Sequence, residues 1–191
     1  MFTNEQLTFL SSKRNFLLKN EVDESVCKQL YQFQANISTL IAKESFQLPT
    51  KVSKLPGKIT KGNNHNGFPF QVSDFPSSLM KEDIFTFRST IWYGNFFSFG
   101  MILSGQPKTD FAFNHKDLID KGYQLTFNED IWTTEVMPET TIKLNTSTYE
   151  DILELIEKSD SFKLFKIFEL NHISSFQRLG IDCFKELFSA D

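Results

Sequence analysis

His65, one of three histidines, is of the residue type suited to move a proton near neutral pH, and it sits among other polar donors. The segment from Pro56 reads P-G-K-I-T-K-G-N-N-H-N-G, so Lys58, Lys61, Asn63, Asn64, His65 and Asn66 fall within one turn-rich stretch. Some twenty residues later T-F-R-S-T-I-W supplies Arg88 and Trp92. With His65 as general base and Arg88 stabilising negative charge, the set would suit a hydrolase- or transferase-type enzyme. Without catalysis, Lys58, Lys61, Asn64, His65, Arg88 and Trp92 read as a surface that binds an anion or a small molecule. A third outcome follows from the neighbours of Arg88. A guanidinium among apolar side chains requires a carboxylate, carbonyls or an anionic ligand, and Asp74, Asp83 and Glu135 are the candidate acids, with Trp92 as a stacking surface.

Sharper catalytic signatures are missing. His65, His115 and His172 do not cluster by spacing, and there is no HExxH or CxxC, so the sequence points to no metal site and no cofactor. Gly57-Lys58 and Gly62 lack the spacing of a phosphate loop, and no G-x-S-x-G elbow is present. Ser78-Leu79-Met80-Lys81 matches S-x-x-K without its companion motifs, and Ser78 is better read as the start of a short helical turn over Ser77–Asp83.

Composition narrows the class further. The chain has 191 residues, enough for one domain with a full core, and its 22 phenylalanines predict a Phe-rich interior. A net charge of −4, with only Arg14, Arg88 and Arg178 as arginines, argues against a nucleic-acid partner. No acid lies between Glu44 and Asp74, where Lys51, Lys54, Lys58 and Lys61 fall, whereas acids dominate from Asp110 to Asp160. No apolar run approaches the roughly 20 residues of a membrane span. With no secretion signal and with Cys27 and Cys183 far apart in sequence, a cytoplasmic location is expected.

These residues must be positioned by elements that the pattern predicts. A helix over 3–20 carries Leu7, Leu10, Arg14 and Leu17 on one stripe and Phe9 and Phe16 on another. After a break at Asn20-Glu21, Val22, Val26, Leu30, Phe33, Ile37 and Leu40 mark a second helix, with Asp23 and Glu24 in its first turn. The two are expected to pair antiparallel, with their apolar stripes in the core. Lys58–Lys61 and Phe68–Asp74 read as strands around a Gly/Asn loop, the second at an edge because of Pro69 and Pro76. Phe85–Tyr93 and Phe96–Leu103 form the strongest hairpin. A two-residue turn at Gly94-Asn95 would put Arg88, Trp92, Phe97, Phe99 and Met101 on one face, and Phe87, Ile91, Tyr93, Phe96 and Ser98 on the other. A helix from Lys81 to Trp92 competes for its first half.

Beyond Asp110 come a short helix over Asn114–Lys121, strands at Tyr123–Phe127 and Ile131–Met137 joined by Asn128-Glu129-Asp130, and a third strand at Thr140–Leu144. The rest reads as helical. Tyr149–Lys158 is followed by an amphipathic stripe of Phe162, Phe165, Phe168, Ile173, Phe176 and Leu179 ending at Gly180, then by a short helix over Asp182–Phe188.

K-I-T-K-G-x-N-x-x-G-F-P-F, K-E-D-I-F-x-F-R and W-Y-G-N-F-F-S, all within residues 56–105, resemble the central block of a family of uncharacterised bacterial proteins. That resemblance implies a bacterial, cytoplasmic protein and assigns no residue roles.

The expected architecture is α+β in a single domain, 1–191: a helical pair over 1–48, a mainly antiparallel sheet over 56–145, and helices over 146–191. The expected function is a non-catalytic binding or interaction module for a small molecule or a protein, with the enzyme using His65 and Arg88, or a structural partner subunit that can self-associate, as alternatives.

Overall fold

Trp92 pairs with Phe96 across a three-residue turn, Tyr93-Gly94-Asn95, and that count sets the register of the strongest hairpin in the chain. In the computed structural model, which describes residues 1–49, 51–111, 116–127 and 130–189, its strands are β3 (Ile84–Trp92) and β4 (Phe96–Ser104). Gly94 takes φ +73°, a value glycine reaches without steric cost. One residue more than the expected two-residue turn shifts β4 by one position, and a one-residue shift moves every side chain to the opposite face. Phe87 and Ile91 therefore lie with Phe97, Phe99 and Met101, while Arg88 and Trp92 lie with Phe96, Ser98, Gly100 and Ile102. The expected assignment of faces is corrected accordingly.

Around this hairpin runs a seven-stranded antiparallel sheet in the order β1-β2-β3-β4-β7-β5-β6. The Gly/Asn hairpin is present with longer strands and a tighter turn than expected. β1 spans Thr60–His65, β2 spans Phe68–Leu79, and Asn66-Gly67, both at positive φ, make the turn. β2 is internal rather than at the edge. Pro76 is tolerated because it falls in an irregularity between Asp74 and Ser77, where the ladder with β3 is interrupted. Ser78 pairs with Phe85 inside β2, so there is no helical turn over Ser77–Asp83.

The C-terminal third holds the largest correction. Phe162, Phe165 and Phe168 belong to a strand, β7 (Ser161–Glu169), which fills the gap between β4 and β5 (Tyr123–Thr126). A strand covered on both faces loses the alternation of a half-buried one, and phenylalanines three apart then imitate a helical stripe. β6 (Thr141–Lys143) closes the far edge, while Ile131–Met137 is irregular rather than a strand. Helices remain at α3 (Gly105–Asp110), α4 (Tyr149–Lys158) and α5 (Phe176–Phe188), with 3-10 turns at Lys116–Leu118 and Leu170–Ser175. The expected helix over Asn114–Lys121 is represented by the first of these turns. Its start, with His115, and the link at Asn128-Glu129 lie outside the described residues.

Two N-terminal helices are present, but the break comes at Ser12. α1 (Asn4–Ser11) carries a capping box from Thr3 and Gln6, and Ser12 caps α2 (Lys13–Lys43) by accepting from the Asn15 amide. α2 runs through Asn20-Glu21 without interruption, so Asp23 and Glu24 fall inside it rather than in its first turn. It reaches the core from Val26 onward, burying Leu30, Phe33 and Ile37. Leu7, Phe9, Leu10, Phe16 and Leu17, expected in the core, are exposed.

α2 and α5 cover one face of the sheet. The Phe33 ring lies 5.3 Å from that of Phe99 and 5.5 Å from that of Phe176. α5 continues through Gly180, where a Cβ would come within 2.5 Å of the Phe33 ring, so a bare backbone lets the helix close on the aromatic cluster. Side-chain amides tie α2 in place. Gln34 donates to the Ser73 hydroxyl at 2.8 Å, and Gln71 donates to the Asp23 carbonyl at 2.9 Å. Among the described residues, no helix is long and apolar enough to cross a membrane.

Candidate functional site

The opposite face of the sheet carries Arg88, and its environment is built by neighbouring strands. Asp74 of β2 is its register partner, and the two make a two-pronged ion pair, Nε to Oδ1 and Nη2 to Oδ2, both 2.8 Å. Thr86 donates to the same carboxylate at 3.1 Å. The remaining nitrogen, Nη1, donates to the Trp132 carbonyl at 3.2 Å, and the guanidinium lies 4.6 Å over the Trp132 ring. Asp74 is thus the partner chosen from the three candidate acids, and Trp132 rather than Trp92 provides the stacking surface.

Sequence inspection missed a second cation on this face. Lys163 of β7 is 6% exposed and donates to the Thr133 carbonyl at 2.9 Å. Burial, reinforced by the Arg88 charge, lowers its pKa to about 7. Arg88 and Lys163 together pin the irregular segment that roofs this face, where Ile131 and Thr134 are buried. The expectation that Phe162–Leu179 was a helix concealed Lys163.

The other residues singled out in the sequence do not converge on Arg88. Lys58 and Lys61 are exposed, and Lys61 pairs with Gln71, which faces α2. Asn64 accepts from the Gly67 amide at 2.9 Å and serves the turn. The His65 ring lies 5.0 Å from that of Trp92 and 5.9 Å from that of Phe70. His65 Nε2 and Trp92 Nε1 are buried without a hydrogen-bond partner among the described residues. The polar contact that a general base at His65 would need is not made there. Among the described residues no group of three or more His, Cys, Asp or Glu side chains is placed to hold a metal.

An apolar groove of about 680 Å³ lies on the helix-covered side. Leu18, Val22, Val26 and Gln29 of α2 form one wall, Ile91, Tyr93 and Gly94 of the β3–β4 hairpin a second, and Leu170 and Ile173 a third. Tyr93 gives it a polar corner, since its hydroxyl accepts from Gln71 at 2.7 Å. Burial and the adjacent Asp23 raise the pKa of that phenol. Leu18 and Glu21 also belong to a smaller concavity with Arg14 and Leu17, which makes the groove continuous with the exposed half of α2. No single stretch of sequence announces this site, because it is assembled from three distant segments. The available signal is the adjacent pair Leu17-Leu18, which widens the apolar stripe beyond what one packing face needs.

Compared with known proteins, the chain matches no family model, no curated protein and no solved structure.

Proposed function

We propose that this chain is a non-catalytic interaction module whose groove receives an amphipathic helix of a protein partner. The observation that carries this reading is the continuity of the groove with a bare apolar helix face. Leu17 and Leu18 are 61% and 52% exposed, and Leu18 lines the groove as well. Contiguous exposed apolar surface on a folded domain marks a docking site, and a groove walled by a helix accepts another helix laid along it. The reading with His65 and Arg88 as catalytic residues has less support, since Asp74 engages Arg88 and His65 packs on aromatic rings. A bacterial cytoplasmic setting is part of the proposal, supported by the free thiols of Cys27 and Cys183 and by the resemblance of residues 56–105.

The groove can be tested with the dye 1-anilinonaphthalene-8-sulfonate. One dye is expected to bind per chain in protein dilute enough to be monomeric, with binding lost in Val26→Lys and Ile173→Lys while circular dichroism and the urea midpoint stay near wild type. Unchanged dye binding in both folded variants would sink the proposal.

A further inference from the structure

We infer that the helix received at this face is the N-terminal arm of a second copy of the chain, paired antiparallel through Arg14, Leu17, Leu18 and Glu21. The inference rests on the interaction-module reading above and names its partner.

Those four residues form one stripe of α2, at spacings of three and four, and all are exposed. Their order is basic, apolar, apolar, acidic. A two-fold axis passing between Leu17 and Leu18 sets Leu17 of one copy against Leu18 of the other and each Arg14 against the other copy's Glu21. The stripe is complementary to itself, as an isologous contact requires. Within one chain Arg14 and Glu21 lie two helical turns apart, roughly 10 Å along the axis, and among the described residues neither forms an ion pair. Both charges are thus available to a partner.

The same axis explains α1. That helix buries no residue in its own chain and exposes Leu7 and Leu10. The same antiparallel pairing sets the second copy's Lys13 opposite Val22, so the start of its α2, to which α1 is joined through Ser12, lies at the end of the groove that Val22 and Val26 line. The bare helix and the open groove then cover one another twice per dimer.

Charge reversal read by sedimentation velocity tests the pairing. The wild-type chain is expected to dimerise, with association weakened about tenfold or more by Arg14→Glu or by Glu21→Arg, because each places like charges opposite at two symmetric positions. An equimolar mixture of the two single variants restores dimers, as does the double variant, because opposite charges then face each other at both positions. A wild-type chain that stays monomeric at hundreds of micromolar overturns the inference. So does a mixture that associates no better than its components. In either case groove-dependent dye binding, lost with Ile173→Lys, would leave the interaction-module reading standing, whereas its absence would remove both.

Discussion

Arg88 and Lys163, on strands separated only by β4, donate to the carbonyls of consecutive residues, Trp132 and Thr133. Two cations thereby fasten one irregular segment across a sheet face, and Asp74 balances the nearer of them. Arg88, a candidate anion-binding residue in the sequence, here holds a roof in place together with Lys163.

Asp74→Asn is expected to lower stability by about 3 kcal/mol, because it leaves a largely buried guanidinium without its counter-charge. Adding Arg88→Met should cost much less than a second such loss, since the orphaned charge is then gone. Urea denaturation of both single variants and the double variant measures the coupling. Strictly additive losses would show that the pair does not act as a unit.

Lys163 makes stability rise with pH above neutrality. Its folded pKa, about 7, lies below the unfolded value of 10.5, so between these the unfolded chain holds the extra proton. The penalty for burying the charged amine is therefore fully felt below pH 7 and relieved as pH climbs toward 10, at about 1.4 kcal/mol per pH unit at most. Comparing the unfolding free energy of wild type with Lys163→Met across that window isolates the effect. A constant difference between them would refute it.

Thiol labelling should separate the two cysteines. Cys183 is 1% exposed, and burial pushes its pKa up to about 12, so the reactive thiolate is scarce. Cys27 is only partly buried. A maleimide probe is expected to modify Cys27 in the native protein and Cys183 only after unfolding, as read by mass spectrometry of tryptic fragments.

Gly180→Ala should destabilise the chain by about 1–3 kcal/mol, because the added methyl meets the rings of Phe33 and Phe99. In a Phe33→Leu background part of the aromatic obstruction is gone, and the same substitution should cost distinctly less. Thermal unfolding of the four chains provides the cycle.

The aromatic hairpin and the Gly/Asn hairpin were legible because their turns are local and carry glycine and asparagine where positive φ is needed. Register was not, because a third loop residue, Tyr93, changes which side chains share a face. β7 was hidden by burial on both faces, and its loss from the expected sheet concealed Lys163. The break between the N-terminal helices was set by Ser12, whose hydroxyl caps α2, rather than by Asn20-Glu21. Of the candidate site, the arm's apolar residues were visible but read as core, since a stripe looks the same whether its cover comes from its own chain or another. The groove required the tertiary placement of Leu170 and Ile173 beside α2.

The sheet order also constrains how the chain can be made. β7 lies between β4 and β5, yet it leaves the ribosome after the other six strands of the sheet. Until Ser161–Glu169 emerges, the nascent polypeptide holds a four-stranded and a two-stranded piece with bare facing edges. Stalled chains ending before Ser161 are expected to be cut readily by protease, and those extended past Phe188 to resist it, so that closure of the sheet waits on the emergence of β7.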